Sequence, residues 1–300
     1  MSLGGRLTDL GYASGWRLVR AMPELVARNA FDLGAWYAAR DGGPEQLRKN
    51  LARVIGTSPA DVPAALVDAS LSSYARYWRE AFRLPTMDHE EIGRQLEVQD
   101  IDYVWQALDA GRGVVLALPH SGNWDMAGVW LVQNHGPFTT VAERLKPESL
   151  ANRFIAYRES LGFEVITHTG GQRPPYDVLR ERLSDNGVVC LMAERDLTRT
   201  GVQVDLFGEA TRLPAGPAKL AIATGAALLP VHCWFTDDGW GMRVFPPLDV
   251  SSGDVTVVTQ ALADRFADNI AAHPADWHMM QPQWLADLSE ERQARLREAR

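Results

Sequence analysis

Short apolar runs alternate with stretches of helical periodicity from about residue 113 towards the C-terminus. Runs of strand length lie at 113–118, 138–142, 163–166, 187–193, 202–207, 228–235 and 242–245. Apolar residues three or four apart predict helices near 124 and at 147–161, 175–184, 217–224 and 255–272. This alternation predicts an α/β fold, in which helices flank a central sheet that is mostly parallel or mixed.

The first 30 residues predict a helical N-terminal segment with a charged face. That face carries Arg6, Asp9, Arg17, Arg20 and Glu24. A basic amphipathic helix with aromatic flanks can lie in a membrane interface, so we expect the segment to face a membrane. Periodicity alone is equally consistent with a first helix packed on the core, but a similar basic and aromatic mixture at 74–83 supports an interfacial patch.

Length and composition favour a single domain that covers residues 1–300, since no linker rich in Pro, Gly or Ser divides the chain. No apolar run reaches the roughly 20 residues that a membrane span requires. The N-terminus lacks the pattern of a cleaved signal peptide, so a soluble or peripheral protein is expected. The net charge of -8 and the lack of a basic run disfavour nucleic acid as a partner.

The strand at 113–118 ends in a His-x4-Asp segment that runs from His120 to Asp125. Five positions along a regular helix are about 140° out of phase, so the two side chains can meet only if the chain turns between them. Gly122 and Asn123 permit such a turn, and Asn123 can cap a helix that begins near 124. The segment therefore predicts a general base, His120, oriented by the carboxylate of Asp125.

Two other histidine segments are better explained by structure than by chemistry. His232 also precedes an aspartate by five positions, but it lies inside a strand-like run with no glycine or cap to turn the chain. His273, Asp276 and His278 have no further ligand at a spacing typical of metal sites. We therefore expect a structural role for His232 and no metal centre.

Further polar residues are placed to meet His120 at one edge of the sheet. Glu143 and Glu194 each directly follow a predicted strand. Since the carboxyl ends of parallel strands face the same edge, one crevice could contain all three side chains. Glu194 is predicted either to hold an acceptor hydroxyl or to position an arginine. Arg158 is predicted to pair with Glu143 or Glu194, or else to lie on a helix surface.

Four blocks follow the His-x4-Asp segment in a characteristic order. They are Glu194-Arg195-Asp196, Asp205-Leu206-Phe207-Gly208, the Pro-x-Gly-Pro-Ala helix start at 214–218, and the Gly-Ala-x-x-x-Pro-Val strand at 225–231. Together they resemble the bacterial lysophospholipid and lipid A acyltransferase superfamily over roughly residues 100 to 285. Within it, the segments 5–12 and 194–198 look like the mycobacterial phosphatidylinositol mannoside acyltransferases. The lipid A enzymes usually have aspartate and glutamine in place of Glu194 and Arg195, which argues against lipid A as the acceptor.

The resemblance implies a glycerolipid-acyltransferase-like fold and an O-acyltransferase activity. The implied donor is a long-chain acyl-coenzyme A, palmitoyl-coenzyme A by resemblance, and the implied acceptor is a mannose hydroxyl of a phosphatidylinositol mannoside. His120 would remove the hydroxyl proton as the oxygen attacks the thioester. The reaction needs no cofactor, because acyl-coenzyme A is a co-substrate. The implied location is the cytoplasmic face of the plasma membrane, with peripheral contact to an anionic surface.

Site roles follow from the same resemblance. Glu194 joins His120 and Asp125 as a catalytic residue, and the expected substrate-binding residues are Asn123, Glu143, Arg144, Arg158 and Arg195. Two alternatives remain open at this point. One is an acyltransferase of the same superfamily that acts on another lysophospholipid or glycolipid, and the other is a lipid-binding protein without catalytic activity.

Overall fold

The computed structural model describes residues 14–143, 148–168, 173–196 and 200–293. Its strands are β1 (Leu96–Gln99), β2 (Val114–Leu118), β3 (Thr139–Ala142), β4 (Glu164–Thr167), β5 (Val188–Met192), β6 (Val202–Leu206), β7 (Glu209–Leu213), β8 (Ala227–Phe235) and β9 (Trp240–Val244). The predictions made for Arg6, Asp9 and Arg144, and the motif residues at 197–198, lie outside the described residues.

Helices surround these strands. A first helical segment at 14–21 precedes α1 (Glu24–Ala39), α2 (Glu45–Ile55), α3 (Ala64–Arg83), α4 (His89–Gln95), α5 (Asp102–Asp109), α6 (Trp124–Asn134), α7 (Glu148–Ser160), α8 (Pro175–Ser184), α9 (Gly216–Thr224) and α10 (Val255–Ala272). In the part of the chain that the structure covers, no helix combines the length and the apolar character needed to cross a bilayer.

The central sheet has the strand order β1-β9-β8-β2-β5-β3-β4. Strands β8, β2, β5, β3 and β4 are mutually parallel. Strand β9 runs antiparallel to β8, and the edge strand β1 pairs with β9 in parallel. The sheet is thus mixed with a parallel centre, which confirms the predicted fold class. A separate antiparallel hairpin, β6–β7, packs outside it.

Strand β2 is buried on both faces because it lies in the middle of the sheet. Alternate side chains along a strand point to opposite faces. Accordingly, Leu116 and Leu118 join one apolar cluster together with α6, while Val115 and Ala117 join the other together with α9 and α10. A continuous apolar run is therefore the expected pattern for this strand.

The N-terminal helices pack against α3, and this contact fixes one side of the first helix. The indole of Trp16 is buried and donates to the carbonyl of Phe82 at 3.1 Å. The Arg20 side chain donates to the same carbonyl at 2.8 Å. Arg83 returns hydrogen bonds to the carbonyls of Val19 and Met22. Arg20 therefore belongs to the packed face, and the prediction that it shares one charged, membrane-facing surface with Arg17 is wrong.

Candidate active site

The corner between β2 and α6 carries the candidate base. Gly122 adopts φ 58°, and a Cβ added there would lie 2.6 Å from the backbone of Cys233 and Trp234. Only glycine fits this turn without a shift of that backbone. The side-chain oxygen of Asn123 accepts the Met126 N–H at 3.2 Å and so caps α6. The predicted turn and cap are confirmed.

The carboxylate that contacts His120 belongs to Glu194. One oxygen, Oε1, lies 2.7 Å from His120 Nδ1 and accepts the His120 backbone N–H at 2.6 Å. Glu194 is fully buried, whereas the imidazole side chain keeps 31% of its surface exposed. Because a carboxylate accepts the Nδ1 proton, the neutral ring carries its lone pair on Nε2, the nitrogen suited to act as a base.

Strand register explains this pairing. Leu118 and Met192 are aligned partners at the ends of the adjacent parallel strands β2 and β5. His120 and Glu194 each lie two positions beyond those partners, so the two chains leave the sheet side by side. The prediction that strand ends would gather His120 and Glu194 is confirmed by this geometry.

Asp125 has a different set of partners from the predicted one. Its Oδ1 lies 2.9 Å from Arg158 Nε, its Oδ2 lies 3.4 Å from Arg158 Nη2, and the Tyr77 hydroxyl donates to Oδ2 at 3.4 Å. No hydrogen bond joins Asp125 to His120 among the described residues. The predicted His120–Asp125 pairing is therefore not seen, because the first turn of α6 directs Asp125 towards α3 and α7.

The buried pair of Asp125 and Arg158 has shifted pKa values around it. Although burial acts to lower the pKa of Arg158, the charge and hydrogen bond of Asp125 raise it above its ordinary value. Burial, followed by the charge of Asp125, raises the pKa of Tyr77 well above its usual range. Burial, followed by the charge of Asp125, also raises the pKa of Tyr157 well above its usual range. Both tyrosines are therefore neutral hydroxyls at physiological pH.

The remaining predicted residues are spread over the same edge of the sheet. Arg158 pairs with Asp125, so the predicted pairing with Glu143 or Glu194 is wrong. Glu143 is exposed directly after β3. Arg195 donates to the side chain of Gln281. Asn123 directs its amide nitrogen into the protein, where it donates to Glu80 at 2.7 Å.

An apolar cavity of about 70 Å³ lies between the sheet and α6. Its helical wall presents Trp124, Ala127, Gly128 and Leu131, spaced as one face of a helix. The sheet contributes side chains from several strands, among them Leu116, Leu118, Cys190, Met192, Val231 and Met242. Asp125 and Arg158 are polar members of the lining. An apolar lining with a few polar groups is typical of a site for an apolar ligand.

Trp124 connects the cavity to the base. It lines the cavity, and its ring meets the His120 imidazole edge to face with centroids 5.2 Å apart. Neither the contact of Trp124 with His120 nor the position of the cavity was predicted from the sequence. The spacing of apolar and small residues at 124, 127, 128 and 131 was the available signal, but it also predicts an ordinary core face.

Two supporting side chains were also not identified. Glu80 is a buried carboxylate on α3 that accepts from Asn123, from the Trp240 indole at 2.8 Å and from Arg76 at 2.7 Å. Gln283 is buried and donates to the Glu194 carbonyl at 2.6 Å. Glu80 lies 43 positions from Asn123, and Gln283 lies 89 positions from Glu194. At such separations no local pattern in the sequence predicts the contacts.

Comparison with known proteins places this arrangement in a family. The family model described as bacterial lipid A biosynthesis acyltransferase matches residues 5–286. The chain belongs to this family. Within the lipid A acyltransferase family, the chain is 77% identical over 294 residues to a phosphatidylinositol mannoside acyltransferase of Mycolicibacterium smegmatis, covering 98% of this chain and 97% of that protein.

Two further relatives carry the same name. A phosphatidylinositol mannoside acyltransferase of Mycobacterium tuberculosis strain CDC 1551 is 71% identical over 292 residues, and its counterpart in strain H37Rv is 70% identical over 292 residues. Each alignment covers 97% of this chain and 92% of the relative. The resemblance drawn from the motifs is confirmed, and it extends over nearly the whole of this chain.

Proposed function

We propose that this protein is an O-acyltransferase that moves a long-chain acyl group, palmitoyl in the simplest case, from acyl-coenzyme A to a mannose hydroxyl of a phosphatidylinositol mannoside. The single observation that carries the chemistry is the His120–Glu194 pair beside an apolar cavity. A base adjacent to an apolar cavity suits direct transfer of an acyl group to a hydroxyl. The names of the relatives support the choice of acceptor.

In the proposed reaction, Nε2 of His120 takes the proton from the acceptor hydroxyl as its oxygen attacks the thioester carbonyl. The tetrahedral oxyanion collapses with cleavage of the carbon–sulfur bond, and the protonated imidazole returns the proton to the departing thiolate. Glu194 holds Nδ1–H throughout and, as a buried carboxylate, stabilises the imidazolium that forms. No acyl-enzyme is needed, because the acceptor attacks directly.

The cavity is the proposed acyl site. Burial of each methylene contributes about 0.8 kcal/mol, so a long chain gains much more from this space than a short one. Arg158, fixed by Asp125, places a permanent positive charge in the cavity wall close to Trp124. We assign Arg158 to the polar end of the substrates, with Glu143 and Arg195 as further acceptor contacts on the same edge of the sheet.

A peripheral site of action on an anionic membrane is part of the proposal. Large apolar side chains are exposed on the first helical segment and on α1, namely Leu18, Leu25, Val26, Leu33, Trp36 and Tyr37. Arg17 and Arg28 are exposed on the same helices. Exposed apolar residues flanked by arginine are suited to an anionic bilayer surface, which for a phosphatidylinositol lipid would be the cytoplasmic face of the plasma membrane.

The test is a transfer assay with labelled palmitoyl-coenzyme A and three acceptors: phosphatidylinositol mannoside, a lysophospholipid and lipid A precursor. We expect transfer to the mannoside, and loss of about 10²- to 10⁴-fold in turnover for a folded His120→Ala variant. Transfer mainly to the lysophospholipid would contradict the mannoside as the acceptor and identify a lysophospholipid acyltransferase. Absence of any transfer, with palmitoyl-coenzyme A still raising the melting temperature more than coenzyme A, would identify a lipid-binding protein instead.

A further inference from the structure

Residues 276–285, here called the C-terminal strap, cross the corner that carries His120. The His278 N–H donates to the His120 carbonyl at 2.8 Å, and the Gly122 N–H donates to the Asp276 carbonyl at 2.9 Å. A bridge between Ser121 and Trp277 adds to this contact. The strap therefore fixes the backbone from His120 to Gly122.

The same strap reaches the Glu194 backbone through the side chain of Gln283. Gln283 is 7% exposed, and its Nε2 donates to the Glu194 carbonyl at 2.6 Å and to Thr211 Oγ1 at 3.2 Å. The Thr211 hydroxyl in turn donates to the backbone carbonyl of Gln283 at 2.6 Å. These bonds fix the rotamer of the Gln283 amide, so it can restrain what it contacts.

We propose that Gln283 is a positioning residue that sets the contact between Glu194 and His120. The hydrogen bonds close a ring: His120 side chain, Glu194 carboxylate, Glu194 carbonyl, Gln283 amide, strap, His278 N–H and His120 carbonyl. Opening the ring at Gln283 removes the hydrogen bond from the strap to the Glu194 backbone. The Arg195–Gln281 contact at the protein surface remains, but it does not touch Glu194 itself.

The location of this bond explains why a single amide matters. The last sheet hydrogen bond of this region runs from the Ala193 N–H to the Leu118 carbonyl at 2.8 Å. Glu194 follows immediately, so its carbonyl lies just beyond the ladder. Its carboxylate oxygen must remain within 2.7 Å of Nδ1 for the imidazole to be held. A displacement near 1 Å at a catalytic group can cost about 10²-fold in rate.

The experiment compares Gln283→Met with the matched control Asn50→Leu. Asn50 is fully buried and also donates its amide to strap carbonyls, those of Met279 and Gln281, but it contacts neither loop of the pair. Both variants remove one buried amide that holds the strap. Each is measured by thermal melting, by kcat and KM for palmitoyl-coenzyme A, and by the NMR signal of the His120 Nδ1 proton in protein with labelled histidine.

Gln283→Met is expected to lower kcat about 10- to 100-fold with little change in KM and to move or broaden the Nδ1 proton signal, whereas Asn50→Leu lowers only the melting temperature. Equal effects of the two variants on kcat and on the proton signal would overturn the proposal, because any loosening of the strap would then suffice. An unchanged signal in Gln283→Met would also overturn it.

This inference rests on the proposed transfer reaction only for its kinetic readout. The proton signal reports the His120–Glu194 contact in the free protein, so it tests Gln283 even if the proposed reaction is wrong. If Gln283→Met does not fold, Thr211→Val removes the second partner of the amide and is measured in the same way. A smaller change in the same direction supports the proposal, and no change contradicts it.

Discussion

His120 and Asp125 lie five positions apart, yet each finds its partner on a different element. His120 contacts Glu194 beyond β5, whereas Asp125 binds Arg158 on α7. The residue types and the turn between them were predictable from the sequence. Their partners were not, because pairing depends on which strand lies next to β2 and in which register, and neither is encoded within the segment.

This difference leads to a prediction at the residue scale. Glu194→Gln should reduce kcat by roughly 10³- to 10⁴-fold, because it removes the charge that holds and stabilises the imidazole. Asp125→Asn should cost less in kcat and more in melting temperature, because it leaves the buried guanidinium of Arg158 without its counter-charge. Steady-state kinetics and thermal melts of both variants check this. A folded Asp125→Asn protein that is slower than Glu194→Gln would return the orienting role to Asp125.

At the scale of elements, sequence patterns predicted strands and helices well where burial is regular. The helices at 175–184 and 255–272 have the predicted bounds. Strands β1 and β7 were missed because their burial alternates over only four or five residues, with exposed polar positions between. The contacts of Arg20 were missed for another reason: helical projection identifies a face but does not show which neighbour covers it.

The exposed apolar face of the N-terminal helices carries the second prediction. Exchanging Leu25, Leu33 and Trp36 for serine should weaken binding to vesicles that contain anionic phospholipid, since these residues are 58–68% exposed and contribute little to the core. Arg17→Glu should weaken it further and in a salt-dependent way. Flotation measures both effects.

Arg20→Glu is the matched comparison for Arg17→Glu. The Arg20 side chain donates a hydrogen bond to the Phe82 carbonyl within the protein. Its replacement should therefore lower the melting temperature instead of reducing salt-sensitive binding to vesicles. Flotation that is unaffected by the serine exchanges would mean that lipid meets another surface.

Helix α6 carries the third prediction, which concerns chain length. Leu131 lies about 10 Å along the helix from Trp124, at 1.5 Å per residue, and both line the cavity. Leu131→Phe should therefore shift preference towards shorter acyl-coenzyme A, at a cost of about 1–3 kcal/mol in stability from overpacking. Competition between donors of different length measures the shift.

Leu220→Phe provides the control for this variant. Leu220 is fully buried in the cluster on the opposite face of the sheet, so it should lose similar stability without any change in preference. A changed preference in the control, or none in Leu131→Phe, would argue against this cavity as the acyl site.

At the scale of the whole molecule, two buried histidines make the fold sensitive to acid. Burial, with a smaller effect of nearby His273, lowers the pKa of His232 to about 3. Burial, with a smaller effect of His120, also lowers the pKa of His278 to about 3. Both rings are neutral in the folded protein at neutral pH. Since the unfolded chain binds these protons near pH 6.5, the contribution of these two histidines to stability should be constant above that pH and fall below it, down to about pH 3.

The fourth prediction follows from this window. At pH 4.5 each of the two histidines should reduce the free energy of unfolding by very roughly 2–3 kcal/mol relative to pH 7. Urea unfolding between pH 7 and pH 4.5 measures the slope. His232→Gln should show a shallower slope with its turnover at neutral pH largely kept, since His232 lies 3% exposed within β8, away from the His120–Glu194 contact. Parallel slopes for the two proteins would exclude His232 as a source of the acid sensitivity.

The register of β2 and β5 makes the His120–Glu194 contact depend on the length of chain between strand and side chain. Each residue lies two positions beyond an aligned strand end, and an extended chain advances about 3.3 Å per residue. One residue inserted or deleted after either strand would therefore move one partner out of hydrogen-bond distance of the other. We expect neither spacing to tolerate a change of length.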